Sequence, residues 1–172
     1  LKLALRGFIV QTKVALGAAF ASLTFRHHRS RAKTGSTVIL TYGHPDSRAE
    51  GHDAYFGPLM KKWPELVRVL HVDGSLGRAK SLSADPRTIS LHAWGNPLAA
   101  LKLPFARWKP PAAHLNGTLG WLVRRAAALE GGTGQAAMSR WQQICEKNWL
   151  RRTRPRLITW PWENHMWERG FV

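Results

Sequence analysis

Thr37-Val-Ile-Leu-Thr-Tyr42 decides the fold. This β-branched apolar run lies between a turn at Thr34-Gly-Ser36 and a polar loop, Gly43-His-Pro-Asp-Ser-Arg-Ala-Glu-Gly51, and reads as a first strand. Leu66-Val-Arg-Val-Leu-His-Val72 alternates and reads as a second, with Asp73-Gly-Ser75 at its carboxyl end. Thr88 to Ala93 reads as a third strand and Leu157 to Trp160 as a fourth. Helical stretches separate them. Residues 1–26 read as helix, and His52 to Trp63 carries Tyr55, Phe56, Leu59, Met60 and Trp63 at helical spacing up to Pro64. Gly95-Asn-Pro97 opens a helix over Leu98 to Trp108, and Lys109-Pro-Pro111 breaks it. Two more helices are expected at 117–129 and 135–151, while the stretch after Ser75 up to Arg87 reads as loop. Strands divided by helices imply parallel pairing through right-handed crossovers. The expectation is an α/β, Rossmann-like three-layer domain over residues 36–172 with a mostly parallel sheet, preceded by a basic amphipathic helix at 1–35.

Composition narrows the partners. The 172 residues carry 26 Lys and Arg against 10 Asp and Glu, a net charge of +16. That balance attracts phosphates, whether in nucleic acid, a nucleotide sugar or an anionic membrane face. A hydrophobic share of 44% excludes bulk disorder. Cys145 is the single cysteine, so no internal disulfide forms; its helical setting marks it as a buried small hydrophobe, consistent with a reducing cytoplasm. The apolar run Val14 to Phe25 falls short of the ~18–20 residues of a membrane span. Its basic cluster, Arg26 to Lys33, follows the run, which argues against a secretory leader. A helix lying on a membrane surface and a core-packed helix with a solvated basic exit both suit it.

Polar and aromatic residues end all four expected strands, where open α/β sheets place ligands. His44 follows the first, His71 and Asp73 the second and His92 the third. The fourth leads into Trp160-Pro-Trp-Glu-Asn-His-Met-Trp-Glu-Arg169. There Glu163 and Glu168 sit among tryptophans, and an apolar wall raises a carboxyl pKa toward general-base duty. Glu163 and His44 are therefore the catalytic candidates. His92, Trp162, His165, Trp167, Glu168 and Arg169 are the substrate-binding ones. Neither Gly-x-Gly-x-x-Gly after the first strand nor Gly-x-Ser-x-Gly, HExxH or Cys/His metal spacing occurs, so no cofactor or metal is expected. Glu130-Gly-Gly-Thr-Gly-Gln135 lies between helices and reads as a hinge, not a phosphate loop. Lys147 to Arg156 is basic around Trp149, which suggests nucleic-acid contact, but no recognition motif accompanies it.

Two segments carry a family resemblance. Thr37-Val-Ile-Leu-Thr-Tyr with Arg48-Ala-Glu-Gly-His-Asp-Ala-Tyr-Phe-Gly-Pro-Leu59, and Pro161-Trp-Glu-Asn-His-Met-Trp-Glu-Arg169, resemble bacterial surface-carbohydrate and capsule biosynthesis proteins of glycosyltransferase type. The resemblance spans roughly residues 36–170. It implies the amino-terminal half of a GT-B-like enzyme, using a nucleotide sugar and a carbohydrate acceptor at the cytoplasmic, inner-membrane face. Glu163, Trp167, Glu168 and Arg169 carry over as motif residues, and Tyr55, Gly57 and Pro58 as structural markers. It also implies a carboxyl-terminal domain beyond Val172, which would hold most donor contacts. The alternative is a non-catalytic basic module binding nucleic acid or anionic membrane, with nucleic acid the less favoured partner.

Overall fold

The structure is a computed structural model that describes residues 2–105, 116–130 and 132–162. Helix α1 (Lys2–Thr24) leads through a 3-10 turn at Arg26–Ser30 to β1 (Thr37–Thr41). Then come α2 (Leu59–Lys62), β2 (Val67–Leu70), α3 (Leu76–Leu82) and β3 (Thr88–Ser90). A 3-10 turn at Leu91–Trp94, α4 (Pro97–Leu101) and a second turn at Leu103–Phe105 follow. Last are α5 (Gly117–Glu130), α6 (Gly134–Thr153) and β4 (Leu157–Thr159).

The four strands form one sheet in the order β3-β2-β1-β4, every pair parallel. Leu40 pairs with Val69, Val69 with Ile89, and Val38 with Ile158. The fold is therefore α/β and Rossmann-like. Strand order reverses between β1 and β4, which places the ligand crevice of such sheets at their carboxyl ends.

The sequence explains the layers. Val38 and Leu40 of β1 join Val69 and Ile89 in a core closed by Ala15, Ala18 and Ala21 of α1 and by Trp141, Cys145 and Trp149 of α6. Ile39 points the other way, onto Met60 and Leu66. Alanines on the inner stripe of α1 let that helix lie close, so the N-terminal helix is part of the domain's core. Its other side stays apolar: Leu16, Phe20 and Leu23 are exposed, Phe20 by 64%. The stretch Leu5–Thr24 is also long and apolar enough to cross a membrane, contrary to the count from sequence. That count stopped at Lys13, whereas a helix carries isolated charges such as Arg6 and Lys13 without breaking.

Several expectations need correction. The helix expected over His52 to Trp63 is reduced to α2. The Asp53 carboxylate accepts from the backbone N–H groups of Tyr55 (3.0 Å) and Phe56 (3.3 Å), and Gly57 takes a φ of +56°. These bonds favour two tight turns, bridging Arg48 to His52 and Asp53 to Gly57, over a helical start. The stretch after Ser75 is α3, not loop, because the Ser75 hydroxyl accepts from Arg78 N–H as an N-cap. The third strand stops at Ser90 and tightens into the turn that turns His92 inward. Helix α4 starts as expected, with Asn96 capping Leu98 N–H and Pro97 in the first turn, but ends at Leu101. The Lys109-Pro-Pro111 break lies outside the described residues.

A buried ion pair went unread. Arg68, in the middle of β2, and Asp53 both have 0% side-chain exposure, with Nη1 3.7 Å from Oδ2. Arg68 also donates to Thr88 Oγ1 and to the carbonyls of His52 and Arg48. Asp53 accepts from Thr41 Oγ1 at 3.2 Å. The pair pins the 47–57 loop over the sheet.

Candidate functional site

The carboxyl ends of β1 and β2 converge. Tyr42 follows β1 and stacks on His71, which follows β2, with ring centroids 4.5 Å apart. Tyr55, brought in by the pinned loop, lies 6.0 Å from Tyr42 and meets the His44 ring edge-on at 6.0 Å. His44 stands half-exposed at the mouth. Its Nδ1 accepts from Asp46 N–H at 3.2 Å and lies 3.5 Å from Asp46 Oδ2. Arg78 of α3 holds the loop's shape by donating to the carbonyls of His44 and Pro45, and to that of Ser47.

Behind His71 stands α6. Gln142 Oε1 accepts from Val72 N–H at 2.9 Å, which fixes the amide's orientation. Its Nε2 then faces His71 Nδ1 at 2.5 Å and donates to Glu146 Oε1. With the amide donating, His71 Nδ1 is the acceptor and its ring proton sits on Nε2. Glu146 is 5% exposed, and burial pushes its carboxyl up to about 8 against the opposing pull of the Gln142 hydrogen bond. The group therefore carries a proton at neutral pH, the condition in which a carboxyl acts as hydrogen-bond donor or acid. Gln142 orients the two groups; an amide does not relay protons between them.

His92 is corrected from a substrate contact to a core residue. Its Nε2 donates to the Val72 carbonyl at 3.2 Å, and its Nδ1 accepts from Trp141 Nε1 at 3.0 Å. Burial lowers its pKa to about 4, so it stays neutral with both nitrogens engaged. Trp149, in the basic segment that suggested nucleic-acid contact, is buried in the core. Cys145 is buried as expected, and burial raises its thiol pKa, which leaves it inert. Thr133 caps α6, as befits a helix–helix hinge.

At the fourth strand end, Trp160 packs against the core and Trp162 is 59% exposed. Glu163, His165, Trp167, Glu168 and Arg169 lie outside the described residues. The described part of the site thus unites His44, Tyr42, Tyr55, His71, Gln142 and Glu146. Of the catalytic pair expected from sequence, His44 belongs to it. Gln142 and Glu146 were missed. Their signal was a Gln and a Glu four apart on a helix, each beside a residue of the apolar stripe Trp141, Cys145 and Trp149. Among the described residues no group of three or more His, Cys, Asp or Glu could hold a metal ion. No family model, curated protein or solved structure matches the chain.

Proposed function

We propose that this chain is the amino-terminal half of a glycosyltransferase of surface-polysaccharide synthesis, moving a sugar from a nucleotide-activated donor at a membrane face. The observation that carries the reading is the placement of His44, the two tyrosines and His71 with its buried acid at the carboxyl edge, beside the strand-order reversal. Such edges hold ligands in open α/β sheets. In the reaction, His44 or Glu163 takes the proton of the acceptor hydroxyl as it attacks the anomeric carbon. The nucleoside diphosphate leaves with the bonding electrons. Tyr42 and Tyr55 offer ring surface to a sugar, and the resemblance adds Trp162, His165, Trp167, Glu168 and Arg169 as further substrate-binding residues.

The exposed apolar side of α1, followed by Arg26, supports the membrane face. It equally favours the second reading, a non-catalytic module on anionic membrane. The two separate on turnover. The full-length protein is supplied with nucleotide sugars and membrane acceptor, and nucleoside diphosphate release is followed. The transferase predicts release that falls by about 100-fold or more in Glu163→Gln or His44→Ala, the usual weight of a general base. Unchanged turnover in both variants refutes the assignment of the base. No release with any nucleotide sugar leaves the membrane module as the function.

A further inference from the structure

A cleft lies away from the sheet's carboxyl-edge cluster, beside β3. It encloses about 340 Å³. Its charge comes from three arginines: Arg26 and Arg29 of the turn after α1, and Arg152 from the last turn of α6. Trp94 and Asn96 close it from the β3 side, and among the described residues no carboxylate lines it.

The three arginines differ in role. Arg29 is braced from behind: its Nε donates to the Ala93 carbonyl at 2.5 Å and its Nη2 to the Gly95 carbonyl at 3.1 Å. Arg26 and Arg152 are exposed, and among the described residues neither side chain forms a hydrogen bond or ion pair. Burial, then the charges of Arg152 and Arg26, lower the Arg29 pKa, which marks the three as electrostatic neighbours. Gathering like charges from two distant segments opposes folding unless something of opposite sign shares the space. Arginine suits a phosphate, since its planar fork binds two oxygens at once.

We propose that this cleft binds a phosphate or diphosphate group between Arg26, Arg29 and Arg152. The volume is at the lower end of small-molecule sites, about 300–1,000 Å³. That suits a diphosphate or a headgroup better than a whole nucleotide sugar. Leu23 lines the same cleft and is exposed, continuous with Phe20 on the apolar side of α1. An apolar tail on the phosphate would meet that surface. The shared chemistry is therefore a phosphoryl anion, free or as a lipid headgroup. The site is independent of the transferase reading and stands if that reading fails.

The test uses the full chain and two probes. Inorganic pyrophosphate is titrated calorimetrically at low ionic strength, and flotation is measured with phosphatidylglycerol vesicles against phosphatidylcholine vesicles. Arg26→Gln/Arg152→Gln removes the two solvent-facing cations and leaves the bracing Arg29 in place. Arg124→Gln/Arg125→Gln on α5 removes the same charge elsewhere. The proposal expects binding of at least one probe, weakened tenfold or more by the cleft variant and less than twofold by the α5 variant. Pyrophosphate binding alone identifies a free anion. Anionic-vesicle flotation that pyrophosphate competes away identifies a lipid headgroup. Equal losses in the two variants mean diffuse surface charge and overturn the site, as does failure of both probes to bind the unaltered chain. Circular dichroism of both variants verifies that the fold is retained.

Discussion

Replacing Glu146 by Gln is expected to stabilise the protein, and only above mildly acidic pH. Burial holds this carboxyl at about 8, against 4.5 for an ordinary glutamate. A folded-state pKa above the unfolded one means the native state keeps a proton that the unfolded chain has released. Stability is then greatest below about pH 4.5 and declines as pH rises, levelling off above about pH 8. The decline is about 1.4 kcal/mol per pH unit and reaches about 3 kcal/mol at pH 7. Glutamine is nearly isosteric and does not titrate. Its carbonyl oxygen still accepts from Gln142 Nε2, so the amide network to His71 and Val72 N–H survives. The cost avoided at pH 7 is therefore about 2–3 kcal/mol after allowance for the altered donor. The assay is urea unfolding of both proteins at pH 5, 6, 7 and 8. Subtracting one profile from the other cancels every other titrating group. A difference near zero at pH 5 that widens to pH 8 in favour of the glutamine variant is the expected result. Parallel profiles would refute the reasoning, since they would mean Glu146 is already ionised in the folded protein. If Glu146 serves the site as an acid, the more stable variant should also be the less active one.

The buried histidines carry the opposite sign. His28 accepts from Ser90 N–H, and burial, then His27 and Arg31, push its pKa down to about 4, where His92 also lies. Stability should fall as pH drops from about 6.5 through 4, by about 3 kcal/mol for each ring; proton NMR titration should show both neutral at pH 5.5, and a protonated ring there contradicts the assignment. Asp53→Ala strands the Arg68 guanidinium at 0% exposure and should cost about 3–5 kcal/mol in chemical denaturation. A loss under 1 kcal/mol would mean the pair is not buried in solution. Gly95→Ala places a Cβ 2.2 Å from the buried Trp141 ring, although the Gly95 φ of −74° suits any residue. It should destabilise by about 1–3 kcal/mol through overpacking, and thermal denaturation near wild-type would show that the ring yields.

How far the chain could be read follows from the range of the forces involved. Thr37 to Thr41, Val67 to Leu70 and Leu157 to Thr159 were legible because strand character is written in consecutive residues. Helices α1, α5 and α6 were legible because enough turns repeat their pattern. Short helices were not. Helix α2 gave up its expected first turns to one carboxylate, Asp53, and α3 depended on one hydroxyl, Ser75. A single side-chain bond decides such segments, and the apolar periodicity does not register it.

The parallel α/β class and the apolar stripes of the long helices are consequences of local pattern, and local pattern is what a chain displays. The strength of its positive charge is likewise a matter of composition. Which polar residues meet is a matter of distance in space. His71 finds Gln142 and Glu146, and Arg29 finds Arg152, only after the sheet and α6 have packed. His92 and Arg68 took inward places for the same reason: their partners, Trp141 and Asp53, come from elsewhere in the chain. Desolvation completes the division. Glu146 has an ordinary carboxyl in the unfolded chain, and the packing of the folded core alone raises it toward 8.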